Sequence, residues 1–173
     1  MEYLNKQDYK LGFIQENVEM VIYSVICFFA PFFIGHPQIV VGVIVNAALV
    51  MAGLNLKNYK TLPVIIMPSL GVLSRGLIFG PFTIFLVYMI PFIWIGNAIL
   101  VYSFKFSKLN KWANLVLGSA VKTAFLFTAA LLLVNLGVLP GLFLTTMGIF
   151  QLYTALIGGI AAITIHTIKK RYA

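Results

Sequence analysis

The sequence predicts an all-α, polytopic membrane protein of six transmembrane helices with both termini cytoplasmic, and three observations predict it. Of its 173 residues 61% are hydrophobic and 9% charged, with a mean hydropathy of +1.01, which is more apolar area than a water-soluble surface can hide. The chain supplies six apolar stretches near the length of about 20 residues that a helix needs to cross a hydrocarbon core about 30 Å thick. Lysine and arginine then fall in alternate breaks between those stretches, which sets an orientation.

Residues 1–17 mix Tyr3, Leu4, Leu11, Phe13 and Ile14 with charges, the pattern of a short amphipathic segment on the inner membrane surface or of a disordered tail. They lack a basic region running directly into an apolar one, so no cleaved signal peptide is expected. The remainder, residues 18–173, reads as one six-helix transmembrane domain.

Span one covers residues 18–34 and holds the lone Cys27, which excludes an intrachain disulfide and reads as a small buried hydrophobe. The break Gly35-His36-Pro37 carries no Lys or Arg. Span two, residues 38–54, places Asn46 mid-span and is followed by Lys57 and Lys60.

Span three, residues 62–80, collects Pro63, Pro68, Gly71, Gly76 and Gly80, with Pro81 just beyond. Pro68 removes a backbone donor and clashes with the preceding turn, so a kink or unwinding is expected near Val64 to Ser69. Broken spans of this sort often line transporter sites; the alternative is an ordinary kink satisfied by neighbouring helices. Arg75 lies about one turn from the outer end, where it either snorkels to the interface or faces a wet cavity.

Span four, residues 82–104, carries Tyr88, Pro91, Trp94 and Asn97, and Lys105, Lys108 and Lys111 follow it. Trp94 and Asn97 share a face at i and i+3. Span five, residues 113–135, places Lys122 about ten residues from its start, close to the midplane, where a cation costs roughly 2.5 to 3.5 kcal/mol even on the lenient insertion scale. The four acidic residues, Glu2, Asp8, Glu16 and Glu19, all lie at the start of the chain, so no intramembrane carboxylate is in reach of Lys122. A neutral lysine, internal water, carbonyls at the span-three break, or an incoming anion are the ways to satisfy it.

Gly137 to Gly141 form another uncharged break. Span six, residues 142–167, carries Thr145, Thr146 and Gln151 and ends in Lys169, Lys170 and Arg171. The pairs Ala48/Ala52, Ala120/Ala124, Ala155/Gly159 and Gly158/Ala162 are expected packing seams. Tyr59, Tyr102, Trp112 and Tyr172 fall where inner interfacial aromatics belong. The basic breaks after spans two, four and six share one side, and the positive-inside rule makes it the cytoplasmic face of the cell membrane.

Several function classes are disfavoured. The formal charge of +8 sits beside apolar segments as a topology signal, so nucleic acid is not an expected partner. There is no G-x-x-x-x-G-K-[ST] loop, no metal-ligand spacing and no nucleophile triad. The expectation is therefore no enzyme, no catalytic residues, no metal and no cofactor.

The compact six-span chain, its basic inner loops, the stretch Pro68-Ser-Leu-Gly-Val-Leu-Ser-Arg-Gly-Leu-Ile-Phe-Gly-Pro-Phe and the segment Ile90-Pro-Phe-Ile-Trp-Ile-Gly-Asn together resemble the substrate-binding S-components of energy-coupling factor transporters, or an uncharacterised prokaryotic membrane-protein group related to them. That resemblance implies a small solute bound near the outer side, with a coupling membrane subunit and ATPases as partners. Span one lacks the pair of alanines four apart that the family uses for coupling. The combined expectation is a substrate-binding subunit for a small anionic or carboxylate-bearing solute, with Arg75, Lys122, Asn97, Gln151 and Trp94 at the site and membrane lipid around it. The alternatives are a structural or assembly membrane protein without a transported ligand, and a channel or facilitator.

Overall fold

The computed structural model describes residues 2–34, 37–79 and 83–172, with side chains described over 12–34, 37–57, 59–76 and 85–171. The chain is all-helical, with no strand among the described residues. The elements are α1 (Glu2–Phe29) continued by a π-helical turn (Ala30–Ile34), α2 (Gln38–Asn55), α3 (Thr61–Phe79) after a 3₁₀ turn (Asn58–Lys60), α4 (Thr83–Phe106), α5 (Lys111–Asn135), the short α6 (Leu142–Met147) and α7 (Ile149–Tyr172). Five segments are long and apolar enough to cross a membrane: Gly12–Ile34, Gln38–Asn55, Phe85–Phe106, Lys111–Asn135 and Leu142–Arg171. The apolar part of α3, Thr61–Gly76, is shorter. The expected breaks at Gly35-His36 and Gly80-Pro81 lie outside the described residues, as does the side chain of Tyr172.

Helix α1 is continuous from Glu2, so residues 2–17 are helical and run directly into the apolar part. Its π turn contains Pro31, whose missing N–H removes the bond to the carbonyl four residues back and favours the wider register. Helix α3 stays helical straight through Pro68, and the expected unwinding between Val64 and Ser69 does not occur. Span six, by contrast, is divided: Gly148, at φ −97° and ψ −107°, separates α6 from α7.

Glycines set the helix–helix distances. A Cβ on Gly158 would collide with the Val43 carbonyl oxygen and one on Gly42 would stand 2.8 Å from Thr154 Cγ2, so α2 and α7 meet almost backbone to backbone. Gly118 meets Ser103 at the α4–α5 crossing, Gly53 meets the Val101 carbonyl between α2 and α4, and Gly71 meets the Phe28 carbonyl between α1 and α3. In lipid, where apolar burial gives no drive for association, such close approach is the main source of dispersion between helices. Ala48, Ala52, Ala155, Gly158, Gly159 and Ala162 are buried as expected, but Ala120 and Ala124 face outward. The buried stripe of α5 runs instead through Leu115, Ser119, Lys122, Leu126 and Ala129, the 4-3-4-3 spacing of a core-facing helix.

The main core lies among α1, α2, α3, α4, α5 and α7, around Leu49, Val50, Val64, Leu100, Val101 and Leu115. A smaller cluster, Met89, Leu126, Ala130, Leu139 and Met147, joins α4 and α5 to the α6 region. Outward faces carry Val21, Val25, Val87, Val116, Leu132 and Ile157, each about half exposed or more in a chain without lipid.

Candidate functional site

Lys122 occupies an ordinary core position of α5 and is 2% exposed. Its Nζ donates to Asn46 Oδ1 of α2 at 2.6 Å and to Asn97 Oδ1 of α4 at 3.0 Å. Each amide then spends its own N–H on a further helix: Asn46 Nδ2 donates to Thr154 Oγ1 of α7 at 3.1 Å, and Asn97 Nδ2 to the Ile65 carbonyl of α3 at 3.1 Å. Thr154 Oγ1 in turn donates to the Gln151 carbonyl at 3.3 Å. One lysine thus ties five helices, and all its described acceptors are neutral.

Local sequence explains why these groups meet. Pro68 cannot donate to the Val64 carbonyl, and the next carbonyl, that of Ile65, is the one that Asn97 serves. Asn46 reaches Thr154 because Gly42 and Gly158, one turn to either side, let α2 and α7 close together. Ile65 lies 14 residues before the end of α3 and Asn97 lies 14 residues after the start of α4, so the two helices form an antiparallel hairpin in matched register.

One turn from this network lie polar groups with no hydrogen-bond partner among the described residues: Ser69 Oγ, Trp94 Nε1 and Ser119 Oγ, with Thr123 Oγ1 beside Lys122. Ser69 follows Ile65 by four residues and Trp94 precedes Asn97 by three, which places both on the hairpin side of Lys122 at one level. Trp94 Nε1 only donates, and the hydroxyls donate readily. The unpaired set is therefore rich in donors.

The expected site residues separate into two places. Lys122 and Asn97 are bonded, Trp94 is one turn away, and Gln151 joins through its backbone carbonyl. Arg75 stands apart, ten residues along α3 from Ile65, about 15 Å at 1.5 Å per residue. Its Nη1 donates to the Phe32 and Phe33 carbonyls at 3.0 and 3.3 Å, so it caps the carbonyl end of the α1 π turn, a favourable place for a cation. Asn46 and Thr154 are members that sequence reasoning did not place at the site. Asn46 signalled itself by depth alone, whereas Thr154 carried no signal beyond its neighbour Gly158.

A second polar cluster lies at the opposite end from Arg75. Glu16 Oε2 accepts from Lys60 Nζ at 3.0 Å and lies 3.8 Å from Lys57 Nζ. Lys60, 3% exposed, also sits 4.3 Å over the Phe13 ring. Glu19 accepts from Lys169, from Tyr23 Oη at 2.9 Å and from Asn55 Nδ2 at 2.9 Å, and Asn55 Oδ1 lies 2.7 Å from His166 Nδ1. Glu16 and Glu19 therefore serve the lysines at this end and not Lys122. No group of His, Cys, Asp and Glu among the described residues is placed to hold a metal ion. Comparison with family models, curated proteins and solved structures finds no match to this chain.

Proposed function

We propose that this chain is the substrate-binding integral membrane subunit of a transporter for a small anionic or carboxylate-bearing solute, energised by partner subunits. In this reading six helices cross a plasma membrane, α3 being the sixth, and both termini face the cytoplasm because Lys57, Lys60, Lys105, Lys108, Lys111, Lys169, Lys170 and Arg171 share that side. The S-component of an energy-coupling factor transporter is the kind of subunit this describes, with a coupling membrane protein and ATPases as its partners.

The observation that carries the reading is Lys122, buried on two neutral amides. An effective burial cost of several kcal/mol for an ammonium is offset by about 1.5–3 kcal/mol for each hydrogen bond to it. In its protonated form Lys122 has no described carboxylate to cancel its charge. An oxyanion entering from the hairpin side meets the third Nζ donor, Trp94 Nε1 and the Ser69 hydroxyl, which supply the donors its oxygens need. Substrate sites of membrane transporters commonly lie at such midplane polar groups.

The structural alternative is favoured by one observation, that the same network already ties five helices. Thermal unfolding of the full chain against a panel of small carboxylates and phosphates separates the two. Binding predicts at least one anion that raises Tm in the wild type and has no effect on Lys122→Met. A panel without effect on the wild type would leave the packing role standing and the transport reading wrong. A channel or facilitator instead predicts solute flux in vesicles holding this chain alone.

A further inference from the structure

Charge balance limits what Lys122 can hold. It lies 11 residues from the start of α5 and 13 from its end, about 17 and 20 Å at 1.5 Å per residue, near the middle of the bundle. It brings one positive charge at most. Other basic side chains are engaged elsewhere: Lys60 pairs with Glu16 at 3.0 Å, Lys105 donates to the Leu56 carbonyl and Lys169 pairs with Glu19. Arg75 caps the Phe32 and Phe33 carbonyls, about 15 Å along α3 from Ile65. The partners of Lys122, Asn46 and Asn97, are neutral, and so are the unpaired Ser69 and Trp94. Neutral dipoles solvate a second charge without cancelling it.

The polar layer is also thin. The third N–H of a protonated Lys122, Trp94 Nε1 and the Ser69 hydroxyl supply three donors, a set that serves the two oxygens of one carboxylate. On either side of this layer the core is apolar and fully buried, with Leu100 and Leu115 toward one end and Leu126 and Met89 toward the other. A second carboxylate on the same solute would therefore meet neither a cation nor a donor. On the reading of Lys122 as the partner of an anion, we infer that the site takes a singly charged carboxylate and rejects dianions.

Thermal unfolding of the full chain in micelles tests this with acetate and butyrate against succinate and phosphate, at about pH 8 and matched ionic strength. Butyrate and succinate have the same number of carbons and differ in the second carboxylate. Lys122→Met, run alongside, removes general salt effects, and the comparison within the wild type stands without it. A monocarboxylate should raise Tm of the wild type at a concentration roughly a hundredfold lower than either dianion needs, the selectivity that one uncancelled charge at the bundle centre gives on the lenient insertion scale. Succinate or phosphate acting on the wild type at an equal or lower concentration overturns the inference and leaves the anion reading intact. No response of the wild type to any of the four overturns the inference together with the anion reading.

Discussion

Lys60 and Lys122 are almost equally buried, at 3% and 2% exposure, yet the chain satisfies them in opposite ways. Lys60 meets a carboxylate at 3.0 Å and an aromatic face at 4.3 Å, so its charge is cancelled inside the protein. Lys122 meets two amide oxygens, which solvate an ammonium without cancelling it. A lysine whose charge is balanced by its own chain is structural. One held by neutral dipoles in the middle of a bundle is not balanced by the described residues, and the proposed function rests on that difference.

The largest effect should come from breaking the balanced pair. Glu16→Gln leaves Lys60 buried without its carboxylate and should cost about 3 kcal/mol or more, while Glu16→Gln with Lys60→Met should recover most of the loss. Equilibrium unfolding in mixed micelles reads both. Next comes the scaffold of the unbalanced lysine. Gly158→Val drives a side chain into the Val43 carbonyl, pushes α7 away from Asn46 and should cost about 1–3 kcal/mol by the same assay.

Lys122→Met should be milder in stability than Glu16→Gln, because Asn46 and Asn97 each keep a bond to another helix. Two acceptors left unpaired cost about 1–3 kcal/mol each, which is offset by the several kcal/mol of burying an ammonium that Met does not carry, but all anion-dependent stabilisation should vanish. Thr154→Val should lie near 0.6 kcal/mol, the average for an interhelical hydrogen bond in a membrane protein. Ala120→Leu, on the outward face of α5, should stay within about 0.5 kcal/mol. A cost above 1 kcal/mol for Ala120→Leu would mean that this face is packed against a partner.

Much of the fold was legible because apolar length and basic punctuation are read directly from sequence. Five of the six expected spans coincide with helices long and apolar enough to cross a membrane, α3 being shorter in its apolar part, and the burial of Cys27 and the seams at Ala48 and Gly158 were legible from residue type and spacing. The helix through Pro68 was not legible, because the group that bonds the carbonyl next to the freed one, Asn97 on Ile65, lies 32 residues away in the next helix. The break at Gly148 was equally hidden, since one glycine in an apolar run reads as continuous helix until its dihedrals are seen. Ala120 and Ala124 misled because four-residue spacing marks two faces of α5, and only the Lys122 face turned inward. At the site, depth picked out Lys122 and Asn97 together. It also suggested Arg75, which is at the far end of α3, because sequence places a residue along a helix but does not show which carbonyls of a neighbouring helix need a donor.

The most direct measurement is native mass spectrometry of gently purified protein, with wild type, Lys122→Met and Lys60→Met compared side by side for a retained small anion. The account predicts an anion on the wild type and on Lys60→Met and none on Lys122→Met. An anion retained equally by Lys122→Met, or none on a wild type that a full panel of carboxylates and phosphates also leaves unstabilised, would contradict it.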